Sequence, residues 1–218
     1  VKKEWSGTRV VMMTRSLVLA AAVLATVVSA AKDSATGIVF PDTYAGSKLA
    51  GLGTRYKGPL KIYSAAVYVS PSAAKFKLGK FKGVAPDAVK KDFFEALVSS
   101  SAAKVIVLKM AMGISKEKLA SALSDSVRPR MGGGDLDAVP KFAGAILSGF
   151  QPDGKAASGT ELAFGLQGSS MCITVNGKKC GTVKSAKLVD ALLKCYMDDK
   201  AVSPALKRSC AQGVLSML

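Results

Sequence analysis

The apolar segments of this chain come in blocks, not in strict alternation. Strand-like patterning over 60–69 gives way to helical patterning, and a strand over 104–112 is followed by two helices. Three strands then come together, over 160–166, 170–175 and 179–183, and two helices close the chain at 185–197 and 204–215. A doubly wound parallel sheet needs a helix between successive strands, so this order argues against one. It predicts an α+β fold, with one antiparallel sheet and helices packed on one side.

Each element has its own signal. Residues 60–69 are rich in β-branched and aromatic side chains and are closed by Pro71. Lys75 to Lys82 alternates lysine with apolar residues, which predicts a half-buried strand. Pro86 suits the first turn of a helix running to 98. Along 104–112, Val105 and Val107 fall on one face and Ile106, Leu108 and Met110 on the other. Ser115 suits the N-cap of a helix to Val127, and Asp135 to Phe150 reads as a further helix. Asn176-Gly177 is the strongest hairpin signal in the chain. Gly51-Leu52-Gly53 reads as a glycine-rich turn leading into the first strand.

The N-terminus carries a second kind of signal. Met12 and Met13 precede Arg15 and an apolar run over 17–28, and Val28-Ser29-Ala30 supplies small residues where a signal peptide is cut. The expectation is an upstream extension at 1–11, a signal peptide at 12–31 cleaved after Ala30 or Ala31, and one domain at 32–218. The protein is then expected to enter the secretory pathway, ending outside the cell, in a lumen, or in a plastid reached by that route. Residues 1–31 hold Lys2, Lys3, Arg9 and Arg15 against Glu4, so +13 of the formal +16 stays with the mature part. Cys172, Cys180, Cys195 and Cys210 all lie in the last quarter. Their even number permits two disulfides in a secretory protein, and buried free thiols are the alternative.

The absences narrow the chemistry. The chain has no histidine, which removes the Ser-His-Asp triad, a histidine base and imidazole-dependent zinc sites. The cysteine spacing suits no metal, and no metal or cofactor is expected. Gly51-Leu52-Gly53 does not open a helix and is no phosphate cradle. Asp198-Asp199 reads as a solvated helix end. The basic residues are spread along the chain without interleaved aromatics, so no nucleic-acid partner is expected. Lys75, Lys77, Lys80 and Lys82 suggest weak contact with an anionic membrane surface, or alternatively a lysine-guarded sheet edge. Arg55 stands out. It leads into an apolar strand that carries Tyr63 and Tyr68, and an arginine entering an apolar pocket needs an anion or acceptors. Its planar fork matches a carboxylate, to which a tyrosine hydroxyl adds a hydrogen bond.

These residues resemble a family. Gly51-Leu52-Gly53-Thr54-Arg55, followed by Lys61-Ile62-Tyr63-Ser64-Ala65-Ala66-Val67-Tyr68-Val69, is similar to the opening of the chalcone isomerase superfamily. Lys80-Phe81-Lys82-Gly83 and Gly159-Thr160-Glu161-Leu162 resemble later segments. The run from Asp190 to Met197, with Val202-Ser203-Pro204-Ala205-Leu206-Lys207, resembles the closing helices and their link. The segments keep the family's order over roughly 37–216. The resemblance implies an open-faced β-sandwich, in which a large antiparallel sheet carries a helical layer with a ligand cleft between.

The family has two branches. One closes the flavanone ring as an intramolecular lyase. The other lacks that activity and binds fatty acids, with arginine and tyrosine holding the carboxylate. Arg55 keeps the family's arginine. Leu119 falls where the enzymes carry their catalytic tyrosine, Ser126 where they carry an asparagine, and Cys195 and Tyr63 where they carry cleft threonines. Leucine can neither hold a water nor polarise a carbonyl, so the resemblance favours binding over catalysis. The expected ligand is a fatty acid or similar apolar carboxylate, and the expected site residues are Arg55, Tyr63, Tyr68, Ser126 and Cys195. The lyase is the alternative.

Overall fold

The computed structural model describes residues 29–218. The expected 1–11 extension lies outside these residues, as does the expected signal peptide except for residues 29–31. In chain order the elements are β1 (Ala30–Lys32), β2 (Val39–Pro41), β3 (Thr43–Tyr44), β4 (Ser47–Lys57), β5 (Leu60–Val69), α1 (Pro71–Leu78), α2 (Lys91–Ser99), β6 (Lys104–Met110), β7 (Ile114–Ser115) and α3 (Lys116–Val127). There follow α4 (Ala138–Leu147), β8 (Lys155–Ala156), β9 (Glu161–Gln167), β10 (Ser170–Val175), β11 (Lys178–Lys184), α5 (Ala186–Met197) and α6 (Pro204–Leu215).

Seven strands form one antiparallel sheet in the order β11-β10-β9-β6-β5-β4-β3. The period of two sorts its side chains as expected. Ile106, Leu108 and Met110 of β6 join Tyr63, Ala65 and Val67 of β5 in the large core beneath the helices. Val105 and Val107 face the other way, with Ala66 and Tyr68, against Phe40 of the β1–β2 hairpin. Asn176 and Gly177 both take positive φ in the turn between β10 and β11, as a two-residue hairpin of this twist requires. Ser115, Ser185 and Ser203 each cap a helix, their hydroxyls accepting from the backbone N–H three residues on.

Three expectations are corrected. The helix expected from Pro86 begins only at Lys91, and Pro86–Ala88 is a separate 3-10 turn. The segment predicted as a strand over 75–82 is helix α1 followed by a 3-10 turn over Gly79–Phe81. Pro71 sits at its start, and Ala74 and Leu78, four residues apart, are the buried pair. A four-residue alternation fits either period, and here the i, i+4 pair reaches the core. Gly51 and Gly53 lie inside β4, not in a turn. There they let α6 rest on the strand. A Cβ on Gly53 would stand 2.5 Å from the Leu206 backbone N, and one on Gly51 would overlap the backbone at Cys210. Gly213 does the same from the helix side, against the Ala50 carbonyl.

All four cysteines are free thiols, Cys195 and Cys210 buried and the other two half-buried. Of the two readings left open by their number, this is the thiol one.

Candidate functional site

Along β4 the helix-facing positions run Gly51, Gly53, Arg55. α6 begins at Pro204, and its capping Ser203 donates to the Thr54 carbonyl oxygen at 2.9 Å. The helix therefore covers the two glycines and starts beside Arg55, which is left without that cover. Across the ladder Arg55 pairs with Tyr63, and its guanidinium carbon lies 5.9 Å from that ring's centroid. α3 supplies the facing wall. The cleft between is about 420 Å³, lined by Arg55, Ile62, Tyr63, Leu119, Leu123 and Ser126. Lys57 and Lys118 add positive charge to it, and Asp125 adds one negative group.

Among the described residues no carboxylate lies within 4.0 Å of the Arg55 guanidinium. Its hydrogen bond is a long one, 3.4 Å from Nη1 to the Ser126 Oγ. The Ser126 hydroxyl gives its own proton to the Ala122 carbonyl oxygen at 2.7 Å, so it offers Arg55 only lone pairs. Ser126 thus orients the arginine and has no donor left for an anion.

Behind Arg55, the Tyr63 and Tyr196 hydroxyls meet at 3.1 Å, both fully buried. Burial pushes the Tyr63 phenol above its ordinary range, and the nearby Arg55 charge opposes this without cancelling it. Burial also pushes Tyr196 well up, and the neighbouring Tyr63 hydroxyl adds to the shift. Both are neutral donors at physiological pH. Two phenols share one hydrogen bond, so one proton of the pair has no protein acceptor among the described residues. Cys195 adjoins them. Its single S–H proton is shared between the Ala191 and Ser126 carbonyl oxygens, and burial raises its pKa to about 12, so it is a neutral filler and not a nucleophile.

Four of the five expected residues, Arg55, Tyr63, Ser126 and Cys195, therefore come together. Tyr68 does not. It lies on the opposite face of the sheet, where its hydroxyl donates to the Pro41 carbonyl oxygen at 2.9 Å. Tyr63 and Tyr68 are five residues apart, and an odd separation on a strand puts two side chains on opposite faces.

Tyr196 was missed by the sequence reading, because one residue after Cys195 on an apolar helix it looks like core. Arg130 was missed too. It holds Asp198 in a two-pronged ion pair at 2.7 and 3.2 Å and donates to the Ser126 carbonyl oxygen at 2.7 Å. That ties the end of α3 to the end of α5 beneath the cleft. Asp198 is thus a structural partner, while Asp199 stays exposed beside Lys207. Among the described residues no three metal-ligating side chains cluster.

A seven-stranded antiparallel sheet with a helical layer and a cleft between them defines an open-faced β-sandwich of the chalcone isomerase type. Among solved structures, the chain is similar to the fatty-acid binding protein AtFAP1 of Arabidopsis thaliana. The TM-score is 0.75 at 20% identity, over 87% of this chain and 98% of that one. No family model matches the chain, and no curated protein matches it in sequence.

Proposed function

We propose that this protein is a non-catalytic binder of a fatty acid or similar apolar carboxylate, held with its head group at Arg55. The observation that carries the reading is the arginine itself: half-buried at one end of an apolar-walled cleft, beside a phenol, with no carboxylate of its own. A ligand carboxylate would supply the missing anion, and the unaccepted proton of the Tyr63–Tyr196 pair would find its acceptor there. A charge-assisted bond of this kind contributes about 1.5–3 kcal/mol. Each buried methylene of the tail adds about 0.8 kcal/mol before ordering costs. The fatty-acid binding protein of the same fold supports the same reading.

The cleft speaks against the lyase alternative. Leu119 and Ser126 stand in its wall where ring closure would need a water-holding tyrosine and an asparagine, and the Ser126 proton is already engaged. A hydroxychalcone should cyclise no faster with the protein than without it.

The test is extraction of purified protein and mass spectrometry of the lipids recovered. Wild type should yield a long-chain carboxylic acid, and Arg55→Ala should yield little or none. Lipid-free wild type that also takes up no added fatty acid would overturn the reading, as would equal retention by the variant.

A further inference from the structure

A second surface lies away from the cleft. α1 is short, and only Ala74 and Leu78 on it are buried. At about 100° per residue, Phe76 then projects almost directly away from the core, with Lys75 and Lys77 to either side of it. Phe76 is 82% exposed, more than any other large apolar side chain among the described residues. The Lys77 ammonium lies 5.0 Å from the Phe76 ring centroid. Lys80 and Lys82 follow in the next turn, also exposed, and the first acid after them in the chain is the exposed Asp87. On the neighbouring α2, Glu95 is paired with Lys91 at 3.4 Å, and Asp92 is the other acid. A groove of about 450 Å³ runs beside the tip, lined by Lys77, Lys80, Ala96 and Ser99 to Ser101.

The alternation of lysine with apolar residues is therefore no guarded sheet edge, because the segment is not a strand. With the strand gone, nothing in the fold accounts for a phenylalanine held out in solvent between Lys75 and Lys77, with Lys80 and Lys82 following in the chain. An isolated exposed apolar side chain is ordinary, but one flanked by lysines on a helix that itself carries no acid matches an anionic, partly apolar surface. A bilayer containing acidic lipid is such a surface. The ring can enter the headgroup–acyl boundary while the lysine stems lie along it and their ammonium groups reach the phosphates. Of the groove's hydroxyls, those of Ser99 and Ser100 already donate to the Glu95 and Leu97 carbonyl oxygens, which leaves Ser101 to donate to a headgroup.

We propose that the Lys75–Lys82 tip docks the protein on anionic membranes, with Phe76 as the inserted side chain. The tip follows the far end of β5. Six residues separate Val69 from Tyr63, about 20 Å of strand, so docking there leaves the Arg55 cleft off the bilayer. It is a peripheral attachment, independent of what the cleft binds. Each lysine near such a surface should raise partitioning about fivefold, and burial of the phenylalanine should add about tenfold or more.

Flotation with vesicles tests it. Vesicles of phosphatidylcholine alone are compared with vesicles in which a third of the lipid is phosphatidylglycerol, at low salt and in molar sodium chloride. The protein should float with the acidic vesicles at low salt only. Phe76→Ser should weaken binding about tenfold, and Lys75→Gln with Lys77→Gln about twenty-five-fold. All three positions are exposed, so circular dichroism should be unchanged. Absence of vesicle binding overturns the proposal. So does binding that survives the lysine changes, or binding that falls with the lysines but ignores Phe76, which would be diffuse attraction by the basic surface as a whole.

Discussion

One face of β4 is sealed over half its length and open over the next position. At Gly51 and Gly53 the α6 backbone lies directly on the strand, with no side chain between. Two residues on, at Arg55, the same face opens into a cleft of about 420 Å³. The sheet geometry is continuous across this boundary, apart from a register shift just after Arg55. What changes is where α6 begins. Ser203 pins that point to the Thr54 carbonyl, so the helix cap sets the edge of the cleft. A binding cleft can thus be made by stopping a helix, with no special loop around it.

The largest break in this comparison should come from the sealed half. Gly213→Val would push a side chain into the Ala50 carbonyl, a backbone atom that cannot move aside. It should cost about 3 kcal/mol or more, read as a fall in the urea midpoint at unchanged slope.

The reverse face of β4 at the boundary gives the next effect. There the Asp33 carboxylate accepts from the hydroxyls of Thr36, Thr54 and Ser64, tying the β1–β2 hairpin to β4 and β5. Burial alone would raise its pKa, but those three bonds and the Ala35 N–H outweigh it and hold the group below the ordinary 3.8. A group depressed in the folded state contributes stability that is complete above its unfolded value and is lost as pH falls through the lower folded one. The acid limb of the stability curve should therefore flatten in Asp33→Asn. Asp33→Ala, which leaves Thr54 and Ser64 hydroxyls without their acceptor, should cost about 2–3 kcal/mol at neutral pH.

The open half should respond in the opposite sense. Arg55→Ala should weaken fatty-acid binding by about 2 kcal/mol, roughly thirtyfold, in a titration calorimeter. Its unfolding free energy should stay within about 0.5 kcal/mol of wild type, because the arginine seals nothing. A large loss of stability in that variant would erase the distinction between the two halves. The smallest effect sharpens the reading of the glycines. Gly144 lies within α4 with nothing within 4 Å of a Cβ placed there. Gly144→Ala should therefore stabilise by about 0.5–1 kcal/mol, in contrast with Gly213.

Much of this was legible in the sequence, and for local reasons. Strand and helix blocks, the Asn176-Gly177 turn and the serine caps depend on residues adjacent in the chain, so they predict the antiparallel sheet and its helical layer. The two faces of β6 followed from a period of two. Arg55 was visible because a charge entering an apolar strand requires a partner. Lys75–Lys82 was misread because its alternation is too short to separate one period from the other. Only burial of Ala74 and Leu78 against the core decides it.

The sequence by itself determined the class of fold and singled out the arginine that lines the cleft. The tertiary structure alone decided which phenols stand with it. Tyr68 was assigned to the site by nearness in the chain, and the sheet turns it to the other face. Tyr196, from an element more than 130 residues away from Tyr63, is brought in by the packing of α5. It likewise decided that Gly51 and Gly53 are a bed for α6 and not a turn. The reason is the same in each case: these roles depend on contacts between segments distant in the chain, and local sequence carries no record of what will be packed against it.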